Sequence, residues 1–255
     1  MLLPHWRKSM VPSTDPGKHL IAKLLNYGPL SGKEQSLLVG VISSEREVPP
    51  DTELVLEDTS PDHSTLMLSG FAARYNLKHD GLRQITSLHL PGDFVDLHSL
   101  LMKPMDHSIV ALTTCRLASV PHEALKRLVT QSPHLASVLW LNTLVDGGIH
   151  RRWSFCLGSF QSHQHLAHLL CELYLRLKQI NRTDENSFHV PLTQAVLGEC
   201  MAITPVHANR AVQRLRASGL ISWERDLITI KDWAGLVSLA EFTPSYLRMS
   251  DTAHH

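Results

Sequence analysis

The clearest chemical pattern in this sequence is a basic stretch that contains no acidic residue. Between positions 203 and 220, the polar side chains suited to contacts with bases and phosphates are His207, Asn209, Arg210, Arg214 and Arg216. Arginine and asparagine form paired hydrogen bonds with guanine and adenine, and arginine also binds phosphate. The formal net charge of the whole chain is +0, so the evidence for a nucleic-acid partner rests on this local stretch.

The same stretch carries the signals of two short helices joined by a tight turn. Thr193 can cap the first helix, and Thr204 followed by Pro205 is typical of the cap and first position of the second. In a DNA-binding helix-turn-helix, the start of the second helix faces the base edges of the major groove. The sequence therefore predicts a DNA-binding site made of Thr204, Val206, His207, Asn209, Arg210, Arg214 and Arg216.

A helical hairpin buried in a core explains the same pattern, and such hairpins are far more common than those that bind DNA. Small residues, Ala195, Gly198 and Ala208, are expected where the two helices cross. The apolar residues expected in their core are Leu197, Met201, Ile203, Val212 and Leu215. Beyond Gly219, the runs 220–223 and 227–230 predict a β-ribbon, or wing.

One group of histidines suggests a metal site on a helix. His165, His168 and Glu172, with His163 nearby, follow a helical spacing that places three of them on one face. A solvated polar face opposite the leucine stripe of that helix explains them equally well.

A second group lies near a predicted turn. His89, Asp96 and His98 suggest a cupin-like metal enzyme, but the cupin histidine spacing is absent and alternation along a strand explains them. His79 could ligate haem or lie on a solvated turn. The sequence therefore predicts no metal site.

Composition indicates a globular protein of two domains. The chain has 255 residues, of which 43% are hydrophobic and 19% are charged, and no apolar run is long enough to span a membrane. The first ten residues lack the apolar run of an export signal, so a cytoplasmic location is expected. No phosphate loop, nucleophile elbow or paired carboxylates indicate an enzyme. The cysteines lack metal or disulfide spacing and are expected to be core thiols: Cys115, Cys156, Cys171 and Cys200.

The N-terminal half reads as a short lead followed by strands. Residues 1–30 predict a poorly ordered lead with one short helix around 19–25. Short apolar runs broken by turn residues then predict a compact all-β roll, with a hairpin tip at 79–81 and a turn at 91–93. The predicted strands are 54–56, 66–68, 85–90, 109–112 and 117–120.

The pattern changes to helical after Pro121. A long helix is predicted over 132–153, with a possible break at Gly147-Gly148. One side of it carries Leu135, Val138, Leu141, Val145 and Ile149, and the other carries Leu139, Trp140 and Leu144. The roll can cover one side, and the same helix of a second chain is the simplest cover for the other. A second helix over 163–177 carries a leucine stripe, and 181–187 reads as a loop that leads into an extended segment.

These segments give the predicted organisation of the chain. It consists of a lead (1–30), a β-roll sensor (31–120), a dimerisation helix region (121–158), a winged helix-turn-helix (159–240) and a tail (241–255).

The order of these segments resembles the Crp/Fnr family of bacterial transcription regulators. The resemblance covers about residues 30 to 240. It rests on the hairpin from Asp80 to Gln84, the turn from Leu90 to Phe94 and the run from Thr204 to Arg210. It implies an α+β fold with an N-terminal jelly roll like those that bind cyclic nucleotides, a long dimerisation helix and a C-terminal winged helix-turn-helix.

Departures from the family pattern bear on the cofactor. Members that bind cyclic nucleotides have a Gly-Glu pair after the phenylalanine and an arginine just after a proline. This chain has Val95-Asp96 instead of the pair and no arginine between Lys103 and Ser108. Iron–sulfur members carry cysteines near the N-terminus, whereas the first cysteine here is Cys115. Both cofactors are therefore disfavoured, and the effector is left open.

Two departures bear on the DNA sequence that is read. Ala202 stands where the turn usually has glycine, and Pro205-Val206 replace the Arg-Glu of many members. The operator should therefore differ from theirs.

The sequence thus predicts a homodimeric regulator that binds double-stranded DNA at an inverted repeat. RNA polymerase is the expected further partner, no membrane is involved, and cyclic AMP does not control the protein. The alternative is a β-roll metal or haem sensor, or an enzyme, that binds no DNA.

Overall fold

The computed structural model describes residues 16–249, and its N-terminal half is a β-roll of two antiparallel sheets. One sheet has the strand order β1-β7-β3 and the other β2-β6-β4-β5. The strands are β1 (Ser44–Val48), β2 (Glu53–Val55), β3 (His63–Ser69), β4 (Ala72–Leu77), β5 (Arg83–His89), β6 (Ser108–Ala111) and β7 (Cys115–Pro121).

Five of these seven strands coincide with the predicted apolar runs, and two were missed. In β1 only Val48 is buried, so the strand lacks the alternating apolar pattern that reveals a half-buried strand. In β4 the buried part begins with Ala72 and Ala73, whose small side chains give a weak β signal. Both turns lie where they were predicted, and Gly81 (φ +80°) lies at the hairpin tip.

The lead is more ordered than predicted within the described residues. It forms α1 (Lys18–Leu24), followed by α2 (Gly32–Gly40), and Leu20 and Leu24 of α1 are fully buried. The backbone of α1 passes so close to the 91–93 turn that a Cβ on Gly92 would lie 2.7 Å from the carbonyl oxygen of His19. Residues 1–15 of the lead lie outside the described residues.

A long helix joins the two halves of the molecule. It follows α3 (His122–Gln131) and runs as α4 from Pro133 to Ser159, which is longer than predicted and unbroken at Gly147-Gly148. The hydroxyl of Ser132 caps it by accepting from the amide of Leu135 at 3.2 Å. Neighbouring elements bury Leu135, Val138, Leu139, Val145 and Ile149.

The C-terminal half combines four helices with a small sheet of order β10-β11-β9-β8. The predicted loop at 181–187 contains β8, which pairs with β9 as a hairpin. The elements are α5 (Ser162–Gln179), β8 (Thr183–Asp184), β9 (Ser187–His189), α6 (Gln194–Met201), α7 (Pro205–Ala217), β10 (Ile221–Glu224), β11 (Leu227–Ile230) and α8 (Trp233–Leu239).

The predicted tail is also partly structured. A short 3₁₀ helix, Pro244–Leu247, follows α8, and Phe242 and Leu247 are buried. Residues 250–255 of the tail lie outside the described residues. None of the helices within residues 16–249 is long and apolar enough to cross a membrane.

Candidate DNA-binding surface

Helices α6 and α7 form the predicted helix-turn-helix. Thr193 caps α6 by accepting from the amide of Val196 at 3.2 Å, and Thr204 caps α7 by accepting from the amide of His207 at 3.3 Å. Between the helices, Ala202 adopts the left-handed conformation (φ 55°), which is costly for a residue with a Cβ. The turn therefore has the geometry that glycine usually supplies, here formed by alanine.

The close approach of the two helices depends on Gly198. A Cβ at this position would lie 2.6 Å from the carbonyl oxygen of Ile203, so any other residue would force the turn away from α6. Ala208 is fully buried, as predicted for the crossing. Ala195 is exposed, because it lies on the outer side of α6, and the prediction that placed it at the crossing was wrong.

One face of α7 fixes it to the domain and the opposite face is open. The buried face consists of Ala208, Ala211, Val212 and Leu215, which follow the i, i+3, i+4, i+7 spacing of one helix side. The same spacing on the other side gives an exposed face made of Val206, Asn209, Arg210 and Gln213. We call these four residues the outer face of α7.

The predicted site residues divide between this face and its flanks. His207 and Arg214, seven residues apart, lie along one edge, and Arg216 lies beyond Asn209 on the other edge. Thr204 serves as the cap, and its hydroxyl also lies 3.0 Å from Nδ1 of His207. Burial and the nearby charge of Arg214 lower the pKa of His163, at the start of α5.

Two residues that the sequence analysis missed belong to this surface. Gln213 lies between Asn209 and Arg216, with contacts of 3.4 Å to each, and its i+3 spacing from Arg210 could have revealed it. Arg225 lies exposed at the tip of the β10–β11 wing, where its backbone is left-handed (φ 58°). The position of Arg225 in the turn between two predicted strands could have revealed it in the sequence.

The polar residues of α5 are buried, so the prediction of a solvated face was wrong. His165, His168 and Glu172 are 4%, 1% and 0% exposed, and side chains of the 3₁₀ helix and α4 contact His168 and Glu172. Glu172 accepts hydrogen bonds from Trp153 and Tyr246, while Nε2 of His168 lies 3.1 Å from the Tyr246 hydroxyl. Since the Tyr246 hydroxyl donates its proton to Glu172, it accepts from Nε2–H of His168.

This polar cluster continues through an arginine into the roll. Arg176 of α5 donates to Glu172 at 3.1 Å and to Asp93 at 2.8 Å, and Lys23 of α1 pairs with Asp93 at 2.7 Å. Burial raises the pKa of Asp93, but the Lys23 and Arg176 charges outweigh it and hold the pKa well below its usual range. The side chains of Glu172 and Arg176 thus connect the two halves of the chain.

The second predicted histidine group does not converge either. His89 lies on β5, whereas Asp96 and His98 lie in or next to the 3₁₀ helix Leu97–Leu100, so alternation along one strand does not describe them. Burial lowers the pKa of His89 to about 3. Within residues 16–249, the one group of three side chains with metal-ligand spacing is His98, Asp106 and His107, which the sequence analysis did not bring together.

A β-roll, a long connecting helix and a winged helix-turn-helix with an open basic face define a DNA-binding transcription regulator. The family model for a Crp-like helix-turn-helix domain matches residues 164–239, and that for a cyclic nucleotide-binding domain matches residues 45–132. The chain belongs to the Crp/Fnr family of transcription regulators.

Known proteins with similar sequences and structures are regulators. The chain is 24% identical to an anaerobic regulatory protein of Haemophilus influenzae over 83% of its own length and 82% of that protein. It is also 24% identical to the transcriptional activator FnrL of Cereibacter sphaeroides, over 70% of this chain and 73% of that one. The structure of FixK2 from Bradyrhizobium japonicum shares the fold, with a TM-score of 0.70, 21% identity, and coverage of 79% of this chain and 99% of that one.

Proposed function

We propose that this regulator binds an inverted-repeat operator as a homodimer and reads it with the outer face of α7. The observation that carries the proposal is the division of that helix, in which four buried residues fix one side and the opposite side is exposed. Val206, which is 62% exposed, suits the methyl group of thymine, whereas Asn209 and Arg210 suit adenine and guanine. Arg214 and Arg216 lie further along the helix and suit phosphates.

Helix α4 supports the homodimer. Trp140 is 70% exposed and Leu144 is 52% exposed, although the neighbouring positions of the helix are buried. Further along the same side of the helix, Phe155 is 47% exposed. A large exposed apolar stripe on a long helix is typical of a protein–protein contact, and two-fold symmetry is the commonest arrangement.

Selection of DNA by the purified protein tests the operator and the dimer together. Sequencing of the selected fragments should reveal an inverted repeat with half-sites about 10 base pairs apart, centre to centre. Light scattering without DNA should give the mass of a dimer at micromolar concentration. A single unrepeated site bound by a monomer would contradict the proposal.

The effector is proposed not to be cyclic AMP or cyclic GMP. Asp96 stands in the sequence where cyclic-nucleotide binders of the family have the glutamate of their Gly-Glu pair. Its Oδ1 accepts from the amide of Thr65, and its Oδ2 is buried without a partner. The segment that would supply a phosphate-binding arginine supplies Asp106 instead, and a carboxylate repels a phosphate. Residues at this site therefore do not fit a cyclic nucleotide. Calorimetry at millimolar nucleotide should show no binding, and a micromolar dissociation constant would contradict this view.

The remaining expectations follow from the family. The four cysteines are all buried at separate positions, which does not suit an iron–sulfur cluster: Cys115, Cys156, Cys171 and Cys200. We propose that the protein acts in the cytoplasm by binding DNA and contacting RNA polymerase, and not by catalysis. Transcription from the selected operator with purified polymerase tests this directly and shows whether the output is activation or repression.

A further inference from the structure

We propose that the β-roll binds a divalent transition-metal ion through His98, Asp106 and His107. One possible ligand atom from each of these side chains lies within 4.8 Å of the other two. Ligand atoms around a tetrahedral ion are roughly 3.3 Å apart, because metal–nitrogen distances are about 2.0–2.1 Å. Small side-chain rotations would therefore close the site around an ion. Two imidazoles and a carboxylate suit zinc, iron(II), cobalt or nickel.

The orientation of His107 leaves one ring nitrogen available to ligate a metal ion. Its side chain is only 8% exposed, and its Nδ1 donates to Oδ1 of Asp106 at 2.6 Å. Because the proton is on Nδ1, the lone pair of Nε2 is free, and Nε2 is buried without any hydrogen-bond partner. A carboxylate that fixes the tautomer of a ligating histidine in this way is a recurrent feature of metal sites. Asp106 thus orients His107 through Oδ1, and its carboxylate supplies the third ligand.

His98 provides the second free nitrogen. Its Nε2 is also buried without a partner, and its ring lies 5.0 Å from the ring of His107, centroid to centroid. An unsatisfied buried polar atom costs about 1–3 kcal/mol, so two of them on neighbouring rings call for a common explanation. A bound ion would satisfy both nitrogens at once. The side chain of Asp106 is 67% exposed, which gives an ion a path from solvent.

The surroundings of the site connect it to the dimer helix. His98 lies on the 3₁₀ helix Leu97–Leu100, and Asp106 and His107 immediately precede β6. Arg74 of β4 is close enough for its charge to act on both histidines, and it pairs with Asp146 of α4 at 2.8 Å. That ion pair offsets the Arg74 charge beside the site and links the site to α4 through Arg74. Metal-dependent control of DNA binding would use this connection and rests on the proposed function, whereas metal binding itself does not.

The test measures metal binding by the full-length, metal-free protein in the absence of DNA. Cobalt(II) absorption spectra and zinc(II) competition against a chromophoric chelator are compared for the wild type, His98→Gln, His107→Gln and Asp106→Asn. Because the chain has 17 histidines, metal binding by the wild type alone does not locate the site. The comparison with the variants decides whether these three residues bind the metal. Each histidine variant should lose at least about 100-fold in affinity, and Asp106→Asn about 10- to 100-fold.

A second Asp–His pair in the same roll provides the control. Asp62 and His63 are adjacent in sequence and share an Oδ1–Nδ1 contact of 2.8 Å, but His63 is 41% exposed and the pair belongs to no group of three ligands within the described residues. His63→Gln should bind metal like the wild type. Circular dichroism and thermal melting confirm that each variant folds. Equal affinity in the wild type and both folded histidine variants, or an equal loss in His63→Gln, would overturn the proposal, and neither result depends on DNA binding.

Discussion

Arg83 of β5 and Glu199 of α6 form an ion pair between the roll and the helix-turn-helix, with 3.2 Å between Nη2 of the guanidinium and Oε2 of the carboxylate. The side chains are 27% and 26% exposed, so the contact is largely shielded from water. Next to it, the side-chain amide of Gln84 donates to the backbone carbonyl of Glu199 at 2.8 Å. The first helix of the helix-turn-helix is therefore held directly by the β4–β5 hairpin of the roll.

A double-mutant cycle should detect this contact. We expect Arg83→Ala and Glu199→Ala to show a coupling energy of about 0.5–1 kcal/mol in the free energy of unfolding, because shielding reduces screening. The cycle also removes the separate loss of the Arg83 contact with the Tyr75 ring. Lys126 and Glu123, an exposed pair on α3, provide the control and should show a smaller coupling. No coupling between Arg83 and Glu199 would mean that this ion pair does not form in solution.

The left-handed Ala202 predicts a stabilising substitution. Ala202→Gly should raise the free energy of unfolding by about 1 kcal/mol, since glycine adopts positive φ without the steric cost of a Cβ. Urea denaturation measures the change. In the same helix-turn-helix, Ala195→Gly at an exposed helical position should instead lower stability by about 0.5–1 kcal/mol. A destabilised Ala202→Gly variant would show that the turn has a different conformation.

Substitution of two arginines of α7 should impair DNA binding in different ways. Arg210→Ala should lose affinity for the selected operator and relax the preference at one position in each half-site, by roughly 1–3 kcal/mol of discrimination. Arg214→Ala should weaken operator and random DNA alike and reduce the salt dependence, because a phosphate contact carries no sequence information. Binding to operator and scrambled duplexes at several salt concentrations separates the two effects.

An arginine outside the surface provides the charge-matched control for these variants. Arg127 is exposed on α3, and Arg127→Ala removes the same charge without touching α7. It should bind both duplexes like the wild type. Unchanged affinity and preference in Arg210→Ala would mean that α7 is not the recognition helix.

A charge on the exposed stripe of α4 should disrupt the dimer. Leu144→Glu places a carboxylate where the partner helix would pack, and burial of an unpaired charge costs several kcal/mol. Light scattering at micromolar concentration should therefore give a monomer. Leu56→Glu is the matched control, because Leu56 is 51% exposed and Leu144 52%, and Leu56 lies after β2. A dimeric Leu144→Glu variant would move the interface away from this stripe.

The buried His165 predicts a loss of stability in acid. Burial lowers the pKa of His165 to about 4. Between about pH 6.5 and 4, the unfolded chain therefore takes up a proton at this histidine, whereas the folded protein does not. Stability therefore falls as the pH drops through this window, by up to about 1.4 kcal/mol per pH unit from this residue. His165→Gln should show a shallower decline in urea denaturation between pH 7 and 5. His150→Gln, which removes an exposed imidazole from α4, should decline like the wild type.

The sequence determined the parts of this protein that depend on local signals. The caps Thr193 and Thr204, the proline at the start of α7 and the spacing of its apolar side act within a few residues, so the helix-turn-helix was predictable. The order of roll, long helix and winged domain also followed from periodicities and from the family resemblance. Strand β1 and the packing of α1 were not predictable, because their stability comes from distant partners, Arg116 for Glu45 and the core around Leu20.

Only the tertiary structure decided which polar residues meet and which are buried. The spacing of His165, His168 and Glu172 suggested a metal site or a solvated face, but all three are buried. The partner of His168 and Glu172 is Tyr246, which lies 74 residues beyond Glu172. Conversely, His98 approaches His107 because the 3₁₀ helix Leu97–Leu100 and the start of β6 bring them to the same point of the roll. Burial and convergence depend on where the rest of the chain lies, whereas the spacing of residues along a single segment determines only which of them share a face.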